Sequence, residues 1–454
     1  MVHHPPQRQK TTALWWGIIA VIHFSSSLAS SFVIQPRIWE YKNRHEIGYE
    51  VAHSISSRQS TATLITNQTT MNSNMASNFC EEMNKEIAIT TKESGTATSV
   101  LSKTSDDITP ILLLNGFGVG SFHQHRLIPC LLETNSEDIS NQRYRRTIYC
   151  VDYLGQGRSW PKDCQDGRSV SEQGLQYSAE TWIDQIVTFI EQVILTEQAS
   201  NKVHLVGNSV GGHLAAYIAA RRPDLVESIC LLNPTPVWGL NLPGWSGTLP
   251  APIVPKAIGR FLFDRIRDLR TIEQFLEQTY SRREAFTEEL MHQIRGCTLG
   301  NGGHAAFASI LWSPPLKVTP DSTLKENFQD CLSQVPCDVL LVFGKDDPWC
   351  KPAFAKKMLQ ALDQREPHHI HRYIEIENAG HCPNHEAPQA VAHVIRTWIA
   401  SSNRSKDHLA LVDAGNNGQI IFQEDWGETR ISERSAHDIN LGMMDRLATT
   451  FIYR

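Results

Sequence analysis

An α/β fold, with a mostly parallel central sheet, helices on both faces and an inserted helical cap, is predicted by three observations. Short apolar runs alternate with amphipathic stretches from Ile111 to Leu232, and again from Val339 to Ala400. Between these two blocks, residues 235–336 lose the strand rhythm. A G-x-S-x-G pentapeptide, Gly207 to Gly211, stands directly between a strand pattern and a helix pattern.

In chain order, Trp39 to Val51 alternates apolar and polar residues, as a strand or as two strands joined by a turn at Lys42 to Arg44. Residues 52–108 are rich in Ser, Thr and Asn and read as a flexible polar insertion. Buried strands are then expected at Ile111–Leu114, Thr147–Val151, Val203–Val206, Val226–Leu232, Val339–Phe343 and Tyr373–Ile376. Helices are expected near His123–Glu133, over Ser178–Leu195 with Trp182, Ile186, Phe189 and Val193 on one face, and at Val210–Ala220, Pro352–Leu362 and Ala387–Ala400.

The strandless segment 235–336 opens with PTPVWGLNLPGWSGTLPAPIVP and continues with aromatic-rich helical stretches, so it reads as a cap over the C-terminal edge of the sheet, where ligands bind in such folds. Residues 402–454 form a polar tail in which Leu441, Met444, Leu447, Ala448 and Phe451 share one face of an amphipathic helix. The main folded body is thus expected over 38–401.

The 454 residues, 41% of them hydrophobic, suffice for one large core with additions. A net charge of −6 excludes a nucleic-acid binder, which needs a basic surface. The ten cysteines show no C-x-x-C and no zinc-site spacing, so they read as buried thiols, and no metal or organic cofactor is expected.

At the N-terminus, His3, His4, Arg8 and Lys10 precede an apolar run from Ala13 to Phe24 that is too short to span a bilayer comfortably. Small residues follow, and LASSFV (Leu28 to Val33) resembles the junction of bipartite presequences in algae with secondary plastids. Residues 1–37 are therefore expected to be a signal and transit-type presequence, with plastid localisation; secretion is the alternative.

In Gly207-Asn208-Ser209-Val210-Gly211 the glycines allow the sharp turn that exposes the Ser209 hydroxyl, so Ser209 is the candidate nucleophile. A hydroxyl needs a base to take its proton and an acid to orient that base, in chain order Ser, acid, His. The strand ending at Phe343 runs into GKDDPW, and the strand ending at Ile376 runs into NAGHCP. His381 is the expected base and Asp347 the expected acid, with Asp346 the alternative. His204 falls in a strand, His213 in a helix, and His368, His369 and His371 in a connection. The oxyanion hole is expected from the backbone N–H of Val210 and of Phe117, the latter in the NGFGVG loop. DYLGQGRS (Asp152 to Ser159) lacks the Lys-Ser/Thr of a nucleotide loop and reads as a structural turn. This order of motifs is that of the alpha/beta-hydrolase fold.

NGFGVGSFH (Asn115 to His123), DYLGQGRSWP, TWIDQIVTFIEQVI, GNSVGGHLAAYIAA, LLNPTPVWG, FASILWSP, GKDDPWCKP and AGHCPNHEAP further resemble the pheophytinase-related plastid alpha/beta-hydrolases. The resemblance runs from about Trp39 to Ala400, excluding the polar insertion. It implies hydrolysis of the phytyl ester of a chlorophyll pigment, giving pheophorbide and phytol, with Ser209, Asp347 and His381 at the family's triad positions. It also implies a hydrophobic ester partner and association with thylakoid membranes. Three departures stand out: Asn115 replaces a proline or histidine, His213 replaces an aromatic, and the stretch between Pro161 and Ser178 is short. A lipase or carboxylesterase acting on galactolipid or other acyl esters is the alternative, and a non-catalytic binding protein the third reading.

Overall fold

The computed structural model describes residues 32–42, 45–54, 109–133, 147–160, 178–239, 256–299, 309–321, 323, 326–402, 419–443 and 445–446. The apolar run Ala13 to Phe24, nearly all of the 52–108 insertion, and most of the expected tail helix lie outside them.

Ten strands make one sheet in the order β1-β2-β4-β3-β5-β6-β7-β8-β10-β9. The six central strands are parallel: β3 (Ile111–Leu114), β4 (Thr147–Val151), β5 (Val203–Asn208), β6 (Val226–Leu232), β7 (Asp338–Gly344) and β8 (His371–Glu377). Antiparallel strands close both flanks. On one flank β1 (Phe32–Tyr41) and β2 (His45–Ser54) form a hairpin whose second strand pairs with β4. On the other, β10 (Gly427–Arg434) pairs with β8 and carries β9 (Gln419–Glu424).

The central strands are largely apolar because both of their faces are covered. Leu112, Leu114, Leu205, Leu341 and Phe343 point into one core with α2 (Ala179–Phe189), α3 (Val210–Arg221), α7 (Phe328–Leu332) and α8 (Pro352–Leu362). The alternate residues Ile111, Leu113, Val206, Leu340 and Val342 pack the other way, against α1 (Leu127–Leu132) and α10 (Pro388–Ser402). A strand's period of two thus serves two cores. Full burial of one such Leu, Ile or Val side chain is worth roughly 1.5–3 kcal/mol. The helix expected over Ser178–Leu195 is α2 continued through a π-turn, Ile190–Ile194, to Glu197, and its Trp182, Ile186 and Phe189 are buried as its periodicity requires.

The cap contains α4 (Lys256–Ile266), α5 (Leu269–Thr279) and α6 (Glu288–Gly296), with a short α9 (Pro383–Glu386) beneath it in the loop after β8. Ile272, Leu276, Tyr280, Phe286, Leu290 and Met291 form its own small core, which reaches Cys382.

Three expected boundaries move. The limit at residue 37 falls inside β1, whose residues 32–37 pair with β2 from Ser54 to Tyr49, so residues 32–37 belong to the sheet. The end at residue 401 also moves, because residues 419–434 add two strands to the sheet edge. The cap ends before 336: Phe328, Cys331, Leu332 and Val335 lie in the main core against α3 and α8. In each case a locally ambiguous segment was placed by the partner surface it buries.

Candidate active site

Ser209 sits at the sharp turn between β5 and α3 with φ 54° and ψ −118°, a strained conformation for a residue bearing a Cβ. Crowding around the turn explains the glycines. A Cβ on Gly207 would lie 2.3 Å from the backbone of Gly211, and one on Gly211 would lie 2.5 Å from the carbonyl oxygen of Leu114. The turn is held by the Ser209 N–H donating to Leu232 O at 2.9 Å, while Ser209 O accepts from the N–H of His213 and of Thr235.

The loops after β7 and β8 bring the other two expected residues to it. Ser209 Oγ lies 2.9 Å from His381 Nε2, and His381 Nδ1 lies 2.7 Å from Asp347 Oδ2. His381 and Asp347 are both buried. This geometry allows the imidazole to take the hydroxyl proton while the carboxylate fixes its tautomer. Asp346, the alternative acid, is turned away and accepts a hydrogen bond from Ser281 Oγ at 2.7 Å.

Val210 is the first residue of α3, so its N–H stands at the positive end of a helix beside Ser209. Gly116, on the loop after β3, comes so close that a Cβ there would be 3.6 Å from Ser209 Cβ. Phe117 follows it, its ring 5.1 Å from Trp238 and 6.4 Å from Trp182. Both expected oxyanion donors therefore belong to segments that converge on the serine.

Residues that no motif letter announces complete the site. Asn233, at φ 42° just past β6 and fully buried, donates from Nδ2 to Asp347 Oδ2 at 2.6 Å and accepts the Gly344 N–H on Oδ1 at 2.9 Å. The other Asp347 oxygen accepts the N–H groups of Trp349 and Cys350 at 2.8 and 2.9 Å. Asn208, the variable residue before Ser209, donates to His381 O at 2.9 Å, and Thr279 O of the cap accepts the His381 N–H at 2.9 Å. Glu386 is fully buried and accepts the N–H of Gly380 at 2.8 Å and of Ser281 at 2.7 Å, which ties the histidine loop to the cap. Burial pushes its carboxyl up to about 8 against the opposing pull of those backbone donors. An asparagine directly after a strand, a residue type that tolerates positive φ, was the available signal for Asn233; nothing local marked Glu386.

Burial also keeps the neighbouring histidines neutral. His123 is pushed down to about 3 and His385 well below its ordinary value. Their rings stack at 4.9 Å, and both contact the Tyr280 hydroxyl. His213 is pushed down to about 4 and stacks on Phe328 at 4.8 Å, so the histidine that replaces an aromatic packs as one. Asn115, the other departure, donates to Val151 O and accepts from Gln124. His204 pairs with Ser228, and His371 with Asp363. The Asp152–Ser159 segment is a structural turn: the Asp152 carboxylate accepts the N–H of Ser121 and of Arg158.

Among the described residues all eight cysteines are free thiols. Donor atoms of Asp347, Cys350 and His381 lie within 4.8 Å of one another, the one such grouping of metal-binding residue types among the described residues. Two of the three are the hydrogen-bonded pair above, and burial holds the Cys350 thiol well above its ordinary range.

Residues 111–394 match the alpha/beta hydrolase family. This chain is an alpha/beta hydrolase. Among curated relatives it is similar to chloroplastic pheophytinase of Arabidopsis thaliana, 29% identical over 370 residues that cover 72% of this chain and 67% of that protein. It is also similar to human (lyso)-N-acylphosphatidylethanolamine lipase, 26% identical over 63% of this chain and 77% of that protein. The solved structure of a membrane phospholipase A matches with 16% identity and a TM-score of 0.48, covering 82% of this chain and 87% of that chain. In this alpha/beta hydrolase, β5, β7 and β8 each deliver one of the three hydrogen-bonded side chains at their C-terminal ends, the edge where the fold binds ligands.

Proposed function

We propose that this protein is a serine esterase that hydrolyses the phytyl ester of pheophytin or a related chlorophyll pigment to pheophorbide and phytol. The observation that carries the esterase reading is the continuous chain from Ser209 Oγ through His381 to Asp347, at 2.9 and 2.7 Å. His381 takes the Ser209 proton as the oxygen attacks the ester carbonyl, and Asp347 stabilises the resulting imidazolium. The N–H groups of Phe117 and Val210 receive the developing oxyanion. His381 returns the proton to the departing phytol, and water, deprotonated by the same imidazole, releases the acid from the acyl-enzyme. The choice of pigment rests on the similarity to pheophytinase, which extends over 72% of the chain. Plastid localisation rests on the same relative and on the N-terminal sequence.

A lipase or carboxylesterase acting on acyl lipids uses the same three residues, and the similarity to the human lipase favours it as the second reading. Incubating the purified protein with pheophytin, chlorophyll and galactolipid in parallel separates the two. Phytol release is expected; acyl-lipid cleavage without phytol release overturns the pigment reading. Ser209→Ala is expected to lower turnover by at least about 1000-fold and to abolish labelling by a fluorophosphonate, with the melting temperature nearly unchanged. Full activity in that variant rejects Ser209 as the nucleophile.

A further inference from the structure

The outer side of the cap is apolar where a soluble protein is usually polar. Phe261, Leu262 and Ile266 of α4 are each at least half exposed (59%, 51% and 50%), and Leu299 is 60% exposed. At about 100° per residue, positions 261, 265, 262 and 266 fall within an arc of about 140°, so the three apolar side chains and Arg265 share one helix face. The opposite side of α4 carries the buried Phe263. Leu299 is not part of this face: Arg267, which donates to Thr298 O beside it at 3.3 Å, stands about 240° around α4 from Phe261.

The charge of this segment is opposite to that of the whole chain. Residues 256–270 contain five basic and two acidic side chains, whereas the protein carries −6. Both acids are engaged locally: Asp264 pairs with Arg267 at 2.6 Å, and Asp268 caps α5 by accepting the Arg270 N–H. Arg265 lies over the ring of Phe261 at 5.4 Å, and neither it nor Arg270 has an ion-pair partner among the described residues. A face of aromatic and aliphatic side chains with outward guanidinium groups complements an anionic, hydrocarbon-backed surface. A second copy of the chain would bring these arginines face to face. Among the described residues no helix is long and apolar enough to cross a membrane, so attachment through this face would be peripheral.

We propose that the α4 face, with Phe261, Leu262 and Ile266 as its apolar part and Arg265 as its charged part, together with the exposed Arg270 at the start of α5, docks the cap on an anionic lipid surface. The placement serves the site. The cap is joined to the histidine loop through Thr279 O and Ser281 N, so docking α4 and α5 brings the catalytic edge of the sheet near the layer in which an apolar ester dissolves. This last step rests on the esterase reading; the docking itself does not.

Sedimentation of the full chain with vesicles of phosphatidylcholine containing phosphatidylglycerol, against pure phosphatidylcholine, tests it. Wild type is expected to prefer the anionic vesicles and to lose that preference as salt is raised toward about 1 M, where charges are screened beyond about 3 Å. Each basic side chain near such a surface is worth about a factor of five, so Arg265→Glu with Arg270→Glu is expected to weaken binding roughly 25-fold or more. Leu262→Ser with Ile266→Ser is expected to weaken binding to both vesicle types. Melting temperatures and hydrolysis of a water-soluble short-chain ester are expected to be unchanged in both double variants. Equal binding of wild type and variants, or a concentration-dependent dimer that Leu262→Ser with Ile266→Ser abolishes, overturns the proposal. Failure of the soluble-ester assay in wild type would count against the esterase reading and leave the vesicle result standing.

Discussion

Replacing Asn233 by glycine removes one donor from the carboxylate that pairs with His381. Glycine is the suitable probe because the residue sits at φ 42°, where alanine would add about 1–2 kcal/mol of backbone strain. The lost contact is a 2.6 Å hydrogen bond to Asp347 Oδ2, the oxygen that also receives His381 Nδ1. Hydrogen bonds to charged groups are worth about 1.5–3 kcal/mol, and each 1.36 kcal/mol is a factor of ten in rate. If the contact acts through His381, kcat/KM falls roughly 10- to 150-fold. The loss should appear in kcat rather than KM, since Asn233 is fully buried behind Asp347. The Gly344 N–H also loses its acceptor, so a stability cost of about 1–3 kcal/mol accompanies the change and is measured separately by denaturant unfolding. Asn233→Asp supplies the diagnostic readout. A second carboxyl at this distance shares one proton with the first, and the doubled negative charge that appears once that proton leaves favours the imidazolium. The acid limb of the pH–rate profile should therefore move to higher pH. Wild-type kcat in Asn233→Gly together with an unshifted profile in Asn233→Asp would refute a positioning role.

Gly207→Ala drives a Cβ to 2.3 Å from the backbone of Gly211, where no flexible side chain can yield, so a loss of about 3 kcal/mol or more is expected as a lower denaturant midpoint. Glu386 makes stability pH-dependent. Its folded carboxyl, held up to about 8, binds a proton that the unfolded chain releases near 4.5, so its contribution is complete below about 4.5 and is lost as pH rises through about 8. Between pH 6.5 and 8, above the range where unfolded histidines take up most of their protons, wild-type melting temperature should fall more steeply than that of Glu386→Gln. Parallel curves would remove Glu386 as the cause.

The parts of the fold and site that depend on short-range periodicity and on residue type were legible before the structure. Apolar runs of four to seven residues alternating with amphipathic helices specified a parallel sheet covered on both faces, and G-N-S-V-G between a strand and a helix specified the serine turn. His381 and Asp347 were legible for the same reason: each lies in a loop just past a buried strand, and the strand order of the fold places those loops beside the turn. Tertiary structure alone decided what depends on a distant surface. Residues 32–37 and 419–434 became strands because the sheet offered two open edges whose backbone groups needed partners. Phe328 to Val335 joined the main core rather than the cap because α3 and α8 leave an apolar groove between them. Asn233 and Glu386 matter through bonds to residues 114 and 105 positions away, a separation that no local pattern records. Asp347 and Asp346 likewise differ only in direction, one carboxylate facing His381 and its neighbour facing Ser281.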